Sequence, residues 1–434
     1  MPFCVLCGRC IWTMKTSKPH SLLIRNAHEL VTVAGADKAR SGRAQGQLEI
    51  IPDGAIYCEG EHIVDVGPND EVLARNRKAA KAARVIDAGG HSVIPGLVDC
   101  HAHPVFAGDR SDEYAQRLSG RSYREILESG GGILKTVRHV REATPAELLR
   151  GFRARLSAAL SYGTTTMECK SGYGLDESSE AKMLEVIRAA NIGPRRHPVD
   201  VVATLMFAHA VPQAMTADQM VDAAVKATPK LAKLAEFVDV FCEGGIFSVE
   251  QSRRVLEAGK KANLRVKVHA DEMCLLGGAK LAAELGAVSA DHLLFTDEAS
   301  IAAMKRAGTI AVFLPGTPFV LRVKYAEARR WIDAGVPVAI GSDFNPNCYC
   351  ESLPFAFALA VYEMKMSPAE ALIGITINAA AAIRREKEIG SLMPGKLADI
   401  VILKGPSYLH LGYHIGGNPV QTVIKRGQVC STRP

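Results

Sequence analysis

The sequence predicts an α/β protein, a (β/α)8 TIM-like barrel with a small β-sandwich domain formed by both termini. Three observations carry this. Eight short apolar runs recur through the middle of the chain, each followed by sequence of helical period. β-like runs divided by Gly, Pro, Asn and Asp fill the region before residue 94, and the same texture returns after about Gly390. With 434 residues, 48% hydrophobic and 23% charged, the chain suits one large folded domain with a smaller companion and lacks the charge excess of disorder.

Residues 1–20 read as a variable N-terminal extension. They contain Cys4, Cys7 and Cys10, whose Cys-x2-Cys-x2-Cys spacing resembles part of an iron–sulfur or zinc site but has no fourth ligand at matching spacing. They lack the Ser-rich, Arg-rich character of an organellar transit peptide. Residues 1–28 hold Arg9, Lys15, Lys18 and Arg25 and no acid, so the net charge of +6 falls to +2 for the rest. That body has no basic stripe for a phosphate backbone, which argues against nucleic acid as a partner.

Residues 21–94 and 388–434 make up the small domain, in runs such as Glu61-His-Ile-Val-Asp-Val and Ala398-Asp-Ile-Val-Ile-Leu. Residues 95–387 form the barrel. Its eight strand-like runs are 92–103, 163–170, 199–209, 237–243, 264–269, 287–292, 309–314 and 336–343. Strands alternating with helices eight times is the tally of a closed parallel barrel. No stretch is apolar for the roughly 18 to 20 residues that span a bilayer; the longest candidate, 369–383, is interrupted by Thr376 and Asn378, so no membrane is expected as a partner. Eleven cysteines are too sparse for a disulfide scaffold, and Cys169, Cys242 and Cys274 read as buried thiols of a reducing, cytoplasmic setting.

Six runs finish in a residue able to bind metal or move protons: His103, His209, Glu243, His269, His292 and Asp343. A barrel gathers its C-terminal strand ends on one face, where barrel enzymes keep their chemistry. His101 and His103 are two apart, so on a strand both imidazoles point to one side. His269 and Asp343 each end an apolar run, where a buried carboxylate is costly unless paired or bound to a cation. Three imidazoles and one carboxylate suit Zn(II) and tolerate Fe(II), with room left for water. Such an ion lowers the pKa of water to roughly 7, and hydrolysis follows. Core histidines and a turn-capping Asp are the bland alternative, which four such residues at three strand ends make the weaker reading.

Pro95-Gly-Leu-Val-Asp-Cys-His-Ala-His and Gly341-Ser-Asp resemble the amidohydrolase superfamily. His103-Pro-Val-Phe-Ala-Gly-Asp-Arg, Gly130-Gly-Gly-Ile, Glu168-Cys-Lys-Ser-Gly-Tyr-Gly, His269-Ala-Asp-Glu and Ser342-Asp-Phe-Asn-Pro-Asn narrow the resemblance to the imidazolonepropionase family, from about residue 21 onward. The resemblance implies hydrolysis of the cyclic amide of 4-imidazolone-5-propanoate to N-formimidoyl-L-glutamate, a step of histidine degradation. It assigns the substrate carboxylate to Arg110, with Tyr123 and Tyr173 donating hydroxyls, His209 on the substrate ring, and Asn345 and Asn347 at the far side. Glu272, three residues after His269, is the expected general base, and His292 and Asp343 steer the nucleophile and stabilise the oxyanion. The chain departs from bacterial members at Asn347-Cys348, where they carry Gly-Thr. Many superfamily members hold two metals on a lysine ending strand four. Here that strand ends in Phe241-Cys-Glu-Gly-Gly, so one ion is expected. A homodimer is expected by resemblance alone. The rival readings are another cyclic-amide hydrolase, a nucleobase deaminase of the same superfamily, or a non-catalytic scaffold. Arg110 speaks against the deaminase and the intact ligand set against the scaffold.

Overall fold

The structure, a computed structural model, describes residues 21–35, 37–121, 125–126, 129–194 and 196–432. Cys4, Cys7, Cys10 and Tyr123 lie outside the described residues. Among the described residues, sixteen strands divide into two sheets of eight.

The first sheet joins the two ends of the chain. From the N-terminal part come β1 (Ser21–Val31), β2 (Ile50–Glu59), β3 (His62–Pro68), β4 (Arg84–Asp87) and β5 (Val93–Pro95). The barrel follows with β6 (Leu97–Asp99), β7 (Thr164–Lys170), β8 (Asp200–Ala208), β9 (Phe237–Cys242), β10 (Arg265–Ala270), β11 (Ser289–His292), β12 (Ile310–Phe313) and β13 (Val338–Ile340). The C-terminal part returns to the first sheet with β14 (Ile400–Leu403), β15 (Val420–Lys425) and β16 (Gln428–Thr432). Its order is β16-β15-β14-β5-β1-β2-β3, with β4 also on β1, so β5 bridges the two ends of the sequence. Alternation sorts its side chains: Leu22, Ile24 and Leu30 pack with Ile400 and Ile402 on one face, whereas Leu23, Ala55, Tyr57 and Val72 cluster on the other.

The barrel strands pair in sequence order, every pair parallel. Closure comes just beyond the strands, where Asp343 N donates to His101 O (3.0 Å) and His103 N to Phe344 O (2.8 Å). The buried Asp99 carboxylate accepts from Ser342 N at 3.0 Å, stitching the first strand to the last. Burial pushes its pKa up to about 7 despite those bonds. Crossover helices start on reciprocal caps, Thr144 with Glu147, Thr216 with Gln219 and Ser248 with Gln251.

Two expectations need correction. The run 92–103 is two strands, β5 in one sheet and β6 in the other, because the chain changes sheets at Gly96, where an added Cβ would lie 2.5 Å from Thr165 Oγ1. Cys274 is not a buried thiol: it sits half-buried in the loop after β10, its Sγ donating to Glu243 (2.9 Å). Cys169 and Cys242 are buried as expected, and no helix among the described residues is long and apolar enough to cross a membrane.

Candidate metal centre and active site

The C-terminal strand ends bring four donors together. His269 Nε2 lies 3.3 Å from His103 Nε2, and Asp343 Oδ1 lies 3.7 Å from His101 Nε2 and 3.8 Å from His103 Nε2. One ring nitrogen each from His101, His103 and His269 falls within a 4.8 Å cluster. The sequence allows this approach at Gly341, where an added Cβ would sit 3.0 Å from His101 Cβ. Asp343 (φ 48°) and His292 (φ 78°) hold left-handed backbone, a strained conformation that turns both side chains at the strand ends.

Carboxylates behind the ring aim two of the imidazoles. His101 Nδ1 is 2.6 Å from Asp291 Oδ2, and His269 Nδ1 is 3.0 Å from Asp239 Oδ2. A proton on His101 Nδ1, shared with Asp291, leaves its Nε2 as a lone pair facing the site, whereas His269 Nδ1 lies beside Asp239 without a hydrogen bond. His101 Nε2 is buried with no hydrogen-bond partner among the described residues, an orphan that a cation would satisfy. Burial, then the charge of Lys170 and the neighbouring rings, holds His101 well below the usual imidazole range; burial and His209 do the same to His103. Neutral rings are the metal-binding form. The donor set therefore fits a divalent ion.

A cavity of about 920 Å³ opens over these donors, with His103, Asp343, Glu272 and His292 on its floor. Glu272 Oε2 lies 3.6 Å from His292 Nε2. Enclosure, reinforced by Asp343 and Glu243, raises the Glu272 pKa well above the carboxylate range. His209 stacks on His103 (5.0 Å, 21°) and tilts against Tyr173. Its Nδ1 donates to Gly172 O at 3.0 Å, which leaves Nε2 as an acceptor. Burial pushes its pKa down to about 3. Gly172 (φ +106°) is required there, since an added Cβ would come within 2.8 Å of His209 Nδ1.

Arg110, also on the cavity wall, is 5% exposed and caps the helix Ser111–Leu118. Its Nε donates to Glu113 (2.7 Å), whose other oxygen accepts from Gly132 N (2.9 Å), whereas its Nη2 is buried without a partner among the described residues. Asn345 and Asn347 line the same cavity. The Asn345 amide is engaged locally: Nδ2 donates to Asp343 Oδ1 (3.0 Å), and Oδ1 accepts from Asn347 N (2.8 Å) and Cys348 N (3.0 Å). Asn347 Oδ1 accepts from Arg117.

Several residues at the site escaped the strand-end reading. Asp239, Asp291 and Glu168 lie within apolar strands and Lys170 ends β7, and a charge in such a run was the available signal. Thr317, which donates to Asp343 Oδ2, gave none. Glu243 does end a strand, yet its carboxylate accepts from the backbone amides of Glu272, Met273 and Cys274 at 2.8 to 3.2 Å and so shapes the loop that carries Glu272.

Known proteins bear out this architecture. A model of the amidohydrolase family matches residues 107–430. An imidazolonepropionase from Symbiobacterium thermophilum is 50% identical over 95% of this chain and 97% of its own, and one from Haloarcula marismortui is 48% identical over 92% and 96%. An ochratoxinase from A. niger shares the fold, with a TM-score of 0.70 at 20% identity over 96% of this chain and 97% of its own. A divalent-metal donor set at the mouth of a parallel barrel, carried on a sequence half identical to these relatives, makes the chain a member of the amidohydrolase family and, within it, of the imidazolonepropionases.

Proposed function

We propose that the chain hydrolyses the ring amide of 4-imidazolone-5-propanoate to N-formimidoyl-L-glutamate. One observation carries the reading: the metal-donor cluster shares its cavity with a buried guanidinium whose Nη2 has no partner among the described residues. A substrate pairing a cyclic amide with a propionate satisfies both, and Arg is well matched to a carboxylate. A neutral nucleobase offers no carboxylate to Arg110. The name of the 50% identical relatives supports the same substrate.

His101, His103, His269 and Asp343 would hold one Zn(II) or Fe(II). When bound, such an ion supplies Lewis acidity, acidifying water and polarising the attacked carbonyl. The chain's own groups do the rest. Hydrolysis puts water oxygen on the ring carbonyl carbon, breaks the C–N bond and delivers a proton to the departing nitrogen. Glu272 takes the proton from water and returns it to that nitrogen, a shuttle its raised pKa favours. His292, beside Glu272, faces the developing oxyanion, and Asp343 steers the nucleophile. Arg110, with Tyr173 and Tyr123, binds the propionate; His209 Nε2 accepts from the ring N–H; Asn345 and Asn347 close the far side.

A single ion is supported by the absence of a lysine at the end of β9 and by Lys170 being committed to Glu168 (2.8 Å) and Asp239 (2.7 Å). The domain division, 21–94 with 388–434 against 95–387, is supported by the change of sheet at Gly96. A cytoplasmic homodimer accords with the free thiols and with the exposed apolar side chains of Phe319, Tyr349, Tyr413 and Ile415; sedimentation tests the dimer. The decisive experiment supplies fresh imidazolonepropanoate to metal-replete protein and follows N-formimidoyl-glutamate. Ammonia released from a nucleobase, with imidazolonepropanoate left intact, would favour the deaminase.

A further inference from the structure

The acid three residues after Arg110 and the Gly130-Gly-Gly-Ile run take no part in the reaction, yet the fold joins them behind one wall of the cavity. Glu113, in the first turn of the helix Ser111–Leu118, is 3% exposed. Its Oε2 accepts from Arg110 Nε at 2.7 Å, and its Oε1 accepts from Gly132 N at 2.9 Å. Gly132 stands at the start of the helix Ile133–Glu142, whose Ile133 and Leu134 line the cavity together with Arg110. Glycine lets that loop close on the carboxylate, since a Cβ added at Gly131 would lie 3.0 Å from Glu113 Oε1 and 2.9 Å from Ile126 O. One buried carboxylate thus fastens two cavity-lining segments to each other.

We infer that Glu113 is a positioning residue for the substrate carboxylate, holding the Arg110 guanidinium by Nε so that Nη2 is kept for the propionate. A guanidinium is flat and rigid, so a bond at Nε fixes its plane and the direction of its terminal nitrogens. A free arginine side chain would lose its rotamer freedom when substrate binds; one ordered beforehand does not, and binding strengthens without a new contact. A buried cation also needs a counter-charge before the substrate arrives, which Glu113 supplies. Against this stands the repulsion between Glu113 and the incoming propionate. Both Glu113 oxygens already accept hydrogen bonds, one of them from the cation itself, so the ordering outweighs the repulsion.

The inference rests on Arg110 binding the substrate carboxylate, and a double-mutant cycle separates the two claims. KM and kcat for fresh imidazolonepropanoate are measured on the metal-replete full chain for the parent, Glu113→Ala, Arg110→Met and Glu113→Ala/Arg110→Met. Glu113→Ala should raise KM about 5–10-fold, somewhat less than the loss of a whole charge-assisted bond, with a smaller effect on kcat. In the Arg110→Met background the same substitution should add less than about twofold, because a residue that acts through Arg110 has nothing left to position. A KM that is unchanged or lowered in Glu113→Ala, while Arg110→Met raises it, overturns the inference alone. Penalties that multiply in the double variant also overturn it, since they mark a general packing role. An Arg110→Met protein with the parent KM overturns the substrate reading and the inference with it. Should Glu113→Ala not fold, Glu113→Gln, which keeps the size and one oxygen, is read by the same criteria. Should neither fold, the Arg110 Nε–H signal in 15N spectra of the parent, assigned by its loss in Arg110→Met, decides. Slow exchange with water before substrate is added supports the inference, and free exchange overturns it.

Discussion

At Glu272 burial and charge act in one direction. Enclosure by the cavity walls raises the carboxyl pKa, and the negative charges of Asp343 and Glu243 add to the shift. A general base works ionised, so activity should fall as pH drops through a pKa lying above the ordinary carboxylate range, which a pH profile of kcat/KM measures. Glu272→Gln should lower kcat by about 10²–10⁴-fold with metal content unchanged. Arg110 is the complementary case, since its buried Nη2 has no hydrogen-bond partner among the described residues. Arg110→Met should raise KM by about 10–100-fold, the equivalent of a charge-assisted bond, and leave metal content alone. Metal loss in that variant would make Arg110 structural.

At the scale of elements, the loop after β10 is held by a side chain from another strand. Glu243 accepts from three successive amides, which fixes where Glu272 points. Glu243→Ala should speed hydrogen exchange at residues 272–274 and reduce kcat, with zinc retained. The sequence reached the elements well where one period dominates. Apolar runs marked all eight barrel strands, and His101, His103, His269 and Asp343 stood out because polar groups ended those runs. The layer beneath them was less legible, since Asp239 and Asp291 interrupt runs that otherwise read as core, and pairing with His269 and His101 is a cross-strand relation that spacing along one strand does not encode. The break at Gly96 was missed for a related reason: β5 and β6 are equally apolar, and only their partners differ.

At the scale of the molecule, the small sheet and the barrel are fastened by charge as well as by apolar packing. Lys425 on β15 is fully buried, and its ammonium reaches Asp399 and, at 2.9 Å, Asp200 on β8. Arg426 joins the same Asp200 at 2.9 Å and Glu61 at 2.7 Å. Lys425→Met takes the cation from the buried Asp399, while Arg426 stays on Asp200, and should cost about 3–5 kcal/mol of stability, read from denaturant unfolding, with the zinc content of the folded protein preserved.

The placement of β5 between β1 and β14 has a consequence for how the protein is made. Residues 21–95 leave the ribosome before the barrel, yet β14, the neighbour that covers β5, is made only after it. Throughout elongation the nascent sheet keeps an open edge, and the whole barrel must emerge before that edge is sealed. Chains that stop short of residue 400 would carry the complete ligand set and still present that edge, so quality control in the cell would meet them as aggregation-prone species and not as inactive enzymes.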